Sequence, residues 1–285
     1  MTFGSLFAGI GGFDLGFEQA GMKCKWQCEI DKHANKILEK HWPNVRRYKD
    51  VRELKNPEYV DVICGGFPCQ DLSLAGNRKG LAGERSGLFF EAVRIIREVK
   101  PRWIVIENVP GLFSSNNGQD MRTVLQELVE CGYSVAWRVL DSQYFGVPQR
   151  RRRIFIVGHT TRQGGFEVLF EANQELSQKV EKRMVQSHTL VAANGQINNR
   201  GSTWGGGIVI STLKAEGVNT MSRVEYVEQN GIRTLTPIEC ERLQGFPDDW
   251  TKGISDRQRF KTLGNAVTVN VIKWIGKRII ERNET

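Results

Sequence analysis

Over the first 157 residues, short apolar runs alternate with helical patterns, and that alternation leaves few architectures open to the chain. Residues 2–7 read as a strand, and residues 13–20 as a helix stopped by Gly21. Residues 25–28 read as a second strand ending in Glu29, and residues 31–42 as a helix halted by Pro43. The run Tyr59-Val60-Asp61-Val62-Ile63-Cys64 reads as a buried strand. Residues 86–99 then place Leu88, Phe89, Ala92, Val93, Ile96 and Val99 on one helical face, closed by Pro101. A strand at 103–106, a helix at 121–131 and paired strands at 135–140 and 153–157 complete the series. This order predicts an α/β fold with a mostly parallel, doubly wound sheet covered on both faces. Ligands in such folds gather beyond the carboxyl ends of the strands.

From about residue 160 to 232 the pattern weakens. Gly201-Ser202-Thr203-Trp204-Gly205-Gly206-Gly207 lies in the middle, and Asn, Gln, Ser and Thr are frequent. A smaller, loop-rich domain with short strands is expected there. Val267, Val271, Ile275 and Ile279 then recur every four residues, which predicts a closing helix over 265–281 packed back on the first domain. The expected division is a catalytic domain of residues 1–159 plus 260–285 and a small domain of residues 160–259.

No apolar run is long enough to span a bilayer, and no signal-peptide pattern opens the chain, so a cytoplasmic protein is expected. Six cysteines without a CxxC pair and four scattered histidines argue against a structural zinc site or disulfide framework. A formal net charge of +8 suits a polyanionic partner.

The chemistry-bearing residues all fall at strand ends. Cys69, in Gly65-Gly66-Phe67-Pro68-Cys69-Gln70, follows the buried strand through a glycine-rich turn and is placed like a nucleophile. Phe7-Ala8-Gly9-Ile10-Gly11-Gly12 follows the first strand; its glycines permit a tight turn and close approach to a ligand, though such a loop can also be only a turn. Glu29 ends the second strand, where a carboxylate can hold ribose hydroxyls, and Asp50 is placed to reach an adenine amino group. Glu107-Asn108-Val109 follows the next apolar run, and Gln149-Arg150-Arg151-Arg152-Arg153 follows that. If the arginines lie on a strand, Arg151 and Arg153 share one face while Arg150 and Arg152 point to phosphate or solvent.

In that order, with Gly264-Asn265-Ala266-Val267 near the end, these segments resemble the DNA cytosine-C5 methyltransferase family. The likeness spans nearly the whole chain except roughly residues 160–232. It implies a Rossmann-like methyltransferase sheet, a target-recognition role for the smaller domain, and S-adenosylmethionine as the cofactor. By the same resemblance Phe7 stacks on adenine, Gly9 and Gly11 pass near the methionine part and Glu29 binds ribose. Asp50, Val51, Pro68, Leu88, Asn265 and Val267 complete the pocket.

The resemblance also implies double-stranded DNA as the substrate. Cytosine C5 is too poor a nucleophile to attack a sulfonium until a thiolate adds at C6, and Cys69 would supply that thiolate. Glu107 is the acid expected near N3, Arg153 is expected at O2, and Arg151 nearby. Residues 70–88 fit a lid closing over flipped DNA, with Arg78, Lys79 and Arg85 on phosphates. Among residues 160–232, Gln196, Asn198, Asn199, Arg200 and Arg223 are of the side-chain types that read base edges. The segment from Arg233 to Trp250 is similar to the one that organises this region in the family.

Asn56-Pro57-Glu58-Tyr59 is similar to the Asn-Pro-Pro-Tyr signature of amino-group methyltransferases. It precedes its strand and lacks the second proline, so that chemistry is rejected. The alternatives are the related tRNA methyltransferase, whose Cys-Phe-Thr tripeptide is absent here, and a catalytically silent DNA binder. The expected setting is a restriction-modification system, with a separately encoded endonuclease, or a phage.

Overall fold

The computed structural model describes residues 1–68, 87–161, 164–170, 210–211, 225–228 and 231–283. Its centre is a seven-stranded sheet of order β3-β2-β1-β4-β5-β8-β6. These strands are β1 (Thr2–Leu6), β2 (Lys23–Cys28), β3 (Arg46–Tyr48), β4 (Val62–Gly65), β5 (Trp103–Asn108), β6 (Ser134–Asp141) and β8 (Arg152–His159). The short β7 (Gln149–Arg150) lies outside it. Strands β3, β2, β1, β4 and β5 run parallel, whereas β8 is antiparallel to both β5 and β6. The mostly parallel sheet expected from the alternation is thus present. β3 was not legible, because a three-residue edge strand reading Arg-Arg-Tyr has no apolar run.

Register explains where the functional residues gather. Leu6 is level with Cys28 on one side and with Gly65 on the other, and Gly65 is level with Ile106. The residues that follow, Phe7, Glu29, Gly66 and Glu107, therefore emerge in one row. The chain leaves β1 toward β2 on one side, and β4 lies on the other, so the row crosses the point where strand order reverses.

Helices cover both faces. α3 (Leu88–Val99) and α4 (Gln119–Glu130) bury Phe89, Val93, Ile96, Val124 and Leu128 against Ile63, Ile104 and Ile156. α1 (Gly12–Ala20) and the closing helix α8 (Val269–Asn283) cover the other face with Phe13, Phe17, Ile272 and Ile275. α1 begins at left-handed Gly11 (φ 83°) and stops at left-handed Gly21 (φ 104°). α2 (Lys32–His41) is capped by Asp31, whose carboxylate accepts from His33 N–H and Ala34 N–H. α5 (Gly164–Leu169) packs beside β6 and β8. No helix among the described residues is long and apolar enough to cross a membrane.

The C-terminal part differs from its expected layout. α6 (Pro237–Leu243) opens with a Thr236–Glu239 capping box, and α7 (Asp256–Asn265) ends where the closing helix was expected to begin. The break at residues 266–268 holds because other groups take the backbone polar atoms. Arg151 donates to the carbonyls of Gly264 and Ala266. Leu235, Cys240, Leu243, Phe246 and Trp250 share a third core with Ala8, Ile10, Ile37, Leu38 and Trp42. Residues 235–254, expected in the smaller domain, are thereby packed against the glycine loop and α2.

Candidate active site

The loop after β1 is unusual at its first residue. Phe7 has φ 52°, a left-handed conformation that costs a non-glycine residue about 1 kcal/mol or more. Gly9 follows at φ 57° and Gly11 at φ 83°. A Cβ on Gly11 would lie 2.3 Å from the Trp42 ring, so the turn requires glycine both for its dihedrals and for space.

Glu29 locks this loop. Gly9 N–H donates to its Oε2 and Asp31 N–H to its Oε1, both at 2.7 Å. Burial raises the Glu29 pKa, and these backbone donors only partly oppose it. A third backbone donor, from Ile30, also lowers the Glu29 pKa. Beside it, Ile30 is 68 % exposed, a bare apolar side chain at the same strand end as Phe7. Sequence reasoning passed over Ile30, whose only signal was its position after Glu29.

Asp50 is held by Arg52, which donates through its backbone N–H (2.9 Å) and through guanidinium Nε (3.0 Å) and Nη2 (2.6 Å). Those bonds keep the Asp50 pKa below its ordinary value. The neighbouring Val51 is buried, and Arg94 of α3 pins its carbonyl (2.8 Å) and that of Leu54 (2.9 Å). Pro68 and Leu88 are half-buried, Asn265 is exposed and Val267 is buried. Val267 reaches the glycine loop, since a Cβ on Gly12 would meet the Val267 carbonyl at 2.8 Å.

At the other end of the row stands Glu107. β5 and β8 pair so that Glu107 faces Phe155, which puts Arg153 diagonally across the strands on the same face. Arg153 Nε and Glu107 Oε1 are 2.9 Å apart, both largely buried. The second carboxylate oxygen lies against Gly66, where a Cβ would sit 2.7 Å from it. Glu107 is thus wedged against the turn that leads, three residues on, to position 69. Burial raises its pKa, outweighing the opposing charges of Arg153 and Arg151.

The two arginines part company. Arg151 is 1 % exposed and lies in the one-residue gap between β7 and β8. Its guanidinium Nη2 donates to Gly264 O (3.0 Å) and Ala266 O (2.8 Å), and its backbone N–H to Asp141 Oδ1 (2.9 Å). Arg151 therefore ties the segment carrying Asn265 and Val267 to the strand carrying Arg153, and acts on Glu107 through its charge. Arg150 and Arg152 are exposed. Cys69, Arg78, Lys79, Arg85, Gln196, Asn198, Asn199, Arg200 and Arg223 lie outside the described residues.

A cradle at one end of the row and a buried acid–arginine pair at the other suit group transfer between two bound molecules. The model of the C-5 cytosine-specific DNA methylase family matches residues 1–198 and 165–281. The type II methyltransferase M2.BsuMI of Bacillus subtilis is 34 % identical over 288 residues, covering 96 % of this chain and 74 % of that protein. M.HhaI of Haemophilus parahaemolyticus is 31 % identical over 308 residues, covering 98 % of this chain and 94 % of that one. The crystal structure of the S. pombe Dnmt2 methyltransferase shares the fold at a TM-score of 0.71 and 19 % identity over the full length of both chains. The chain belongs to the C-5 cytosine-specific DNA methylase family.

Proposed function

We propose that this DNA cytosine-C5 methyltransferase extrudes its target cytosine from the duplex and attacks it with Cys69. Unstacking and unpairing cost a few kcal/mol. The basic residues Arg78, Lys79 and Arg85 would contact phosphates during that step, and Arg200 and Arg223, in residues 160–232, would contact the target sequence. The Cys69 thiolate adds to C6, ring electrons move toward N3, and Glu107 delivers a proton there. Arg153 donates to O2. C5 becomes the nucleophilic carbon of an enamine. After methylation a base, most simply water, removes the C5 proton. The Cys69–C6 bond then breaks and Glu107 recovers the N3 proton.

S-adenosylmethionine, when bound, supplies an activated methyl group on a sulfonium. The residues around the glycine loop fit it. Glu29 presents a carboxylate, an acceptor for ribose hydroxyls, at the strand end where Phe7 and Ile30 offer apolar surface. A Cβ at Gly9 would meet nothing within 4 Å, which leaves open space beside the loop, and Gly11 lets it turn against Trp42, while Asp50, Val51, Pro68, Leu88, Asn265 and Val267 are the remaining candidates for the pocket. The setting we propose is the cytoplasm, in a restriction-modification system with a separate endonuclease or in a phage; the relatives above are named type II methyltransferases.

The observation that carries the mechanism is Glu107, a carboxyl whose pKa burial raises and which is wedged against Gly66, beside the turn to Cys69. The test is transfer of label from S-adenosylmethionine to unmethylated genomic DNA, with bulk tRNA alongside and base-resolution mapping. Label at cytosine C5 within one short motif, lost in Cys69→Ala with cofactor binding retained, is the expected result. Label on tRNA alone, or a fully active Cys69→Ala protein, overturns it.

A further inference from the structure

The turn that follows α6 reaches back to the glycine loop through one aromatic side chain. The Trp250 indole N–H donates to the carbonyl of Ile10 at 2.9 Å. Both residues are buried, so without the indole this carbonyl would lack a compensating donor among the described residues, at a cost comparable to a lost hydrogen bond. The Ile10–Gly11 peptide is thereby held from both sides, because Gly11 N–H donates to Ala8 O at 2.9 Å.

The indole is itself fixed. His41 stacks on it with ring centroids 3.5 Å apart and planes 4° apart. The His41 Nε2 lies 2.9 Å from the Trp250 carbonyl, and Lys40 donates to the carbonyl of Asp249 at 2.8 Å. On the other side of the turn, the buried Glu241 carboxylate accepts from Thr251 N–H (2.8 Å), from the Thr251 hydroxyl and from Arg259 (2.9 Å). α2, α6 and α7 thus combine to hold one tryptophan against one carbonyl, 240 residues away in the chain.

We propose that Trp250 is a positioning residue for the cofactor: its hydrogen bond sets the Ile10–Gly11 peptide, and with it the shape of the loop on which the cofactor lies. This rests on S-adenosylmethionine binding at the glycine loop.

Trp250→Phe keeps a flat ring against His41 and removes the N–H. The full-length variant is titrated calorimetrically with S-adenosylmethionine and S-adenosylhomocysteine in the absence of DNA, its melting temperature is recorded, and kcat and both KM values follow. The expected result is a Kd and a cofactor KM raised about tenfold, with kcat and the KM for DNA close to wild type. Unchanged cofactor affinity overturns the proposal. So does a parallel loss of kcat and melting temperature, which would mark a merely structural role. Should Trp250→Phe fail to fold, His41→Ala, which keeps the N–H but removes the stacking partner, decides in the same way: weaker cofactor binding at unchanged kcat supports the proposal, and unchanged binding overturns it. Wild-type protein that binds neither ligand overturns the cofactor reading itself, and the positioning role with it. Normal wild-type binding beside an unaffected variant overturns the positioning role alone.

Discussion

At Glu107 burial and two positive charges pull one carboxyl group in opposite directions, and burial prevails, so its pKa lies above the ordinary carboxylate value. The acid form is the one the proposed N3 proton transfer needs. Turnover should therefore fall as pH rises through the Glu107 pKa, because the deprotonated form has no proton to give. Glu107→Gln retains an N–H donor but cannot transfer a proton; we expect kcat to drop about 100-fold or more, the alkaline decline to disappear, and DNA affinity in a gel-shift assay to change little. Glu107 was legible from its place after an apolar run. The separate fates of Arg151 and Arg153 were not. Strict alternation would give them one face, yet Arg151 sits at a break between strands, and its partners Gly264 and Ala266 lie more than a hundred residues downstream.

Among the elements, α1 and α8 show most clearly how packing constrains composition. A Cβ on Gly16 of α1 would lie 2.6 Å from Ile272 Cβ and 2.9 Å from the Val269 carbonyl. On α8, a Cβ on Gly276 would lie 2.8 Å from Ala20 Cβ. The helices approach this closely because small residues face each other at the crossing. Gly16→Ala adds a methyl against backbone that has little room to give, and we expect a loss of about 1–3 kcal/mol in urea unfolding, despite the better helix propensity of alanine. The four-residue repeat in residues 267–279 announced an amphipathic helix, and α8 is one. Its start at Val269 was hidden, since the break before it depends on Arg151 and on Thr268 donating to Gln244 Oε1 at 2.9 Å.

On the scale of the whole molecule, stability should carry the mark of one buried charge. Asp14 has no exposed surface and accepts from Ser5 Oγ (3.1 Å) and Gln27 Nε2 (2.9 Å) between the sheet and α1. Burial nevertheless lifts its pKa from 3.8 to about 6. The folded protein thus binds this proton more tightly than the unfolded chain. Between pH 6 and 4 the folded state holds the proton while the unfolded state has lost it, so stability rises as pH falls through that window and declines as pH rises through it. The rise from 3.8 to about 6 corresponds to about 3 kcal/mol. We expect wild type to gain roughly that much relative to Asp14→Asn between pH 7 and pH 4, measured by chemical denaturation; a constant difference between the two proteins would refute the assignment.

Local pattern sufficed for the alternation of strands and helices, the parallel sheet and the strand-end position of every residue in the row from Phe7 to Glu107. Hydrophobic periodicity and glycine punctuation act over a few residues, and a parallel sheet follows from them by connectivity. Long-range contacts set the rest: the pairing of Arg153 with Glu107, the anchoring of Arg151, the closing turn at 266–268, and the packing of residues 235–254 onto the glycine loop. Each depends on groups far apart in the chain meeting in a low-dielectric interior, where an unpaired polar atom is costly. The bond from Trp250 to Ile10 belongs there. Nothing around either residue in the chain announces it, and only the folding of α2, α6 and α7 around the loop brings donor to acceptor.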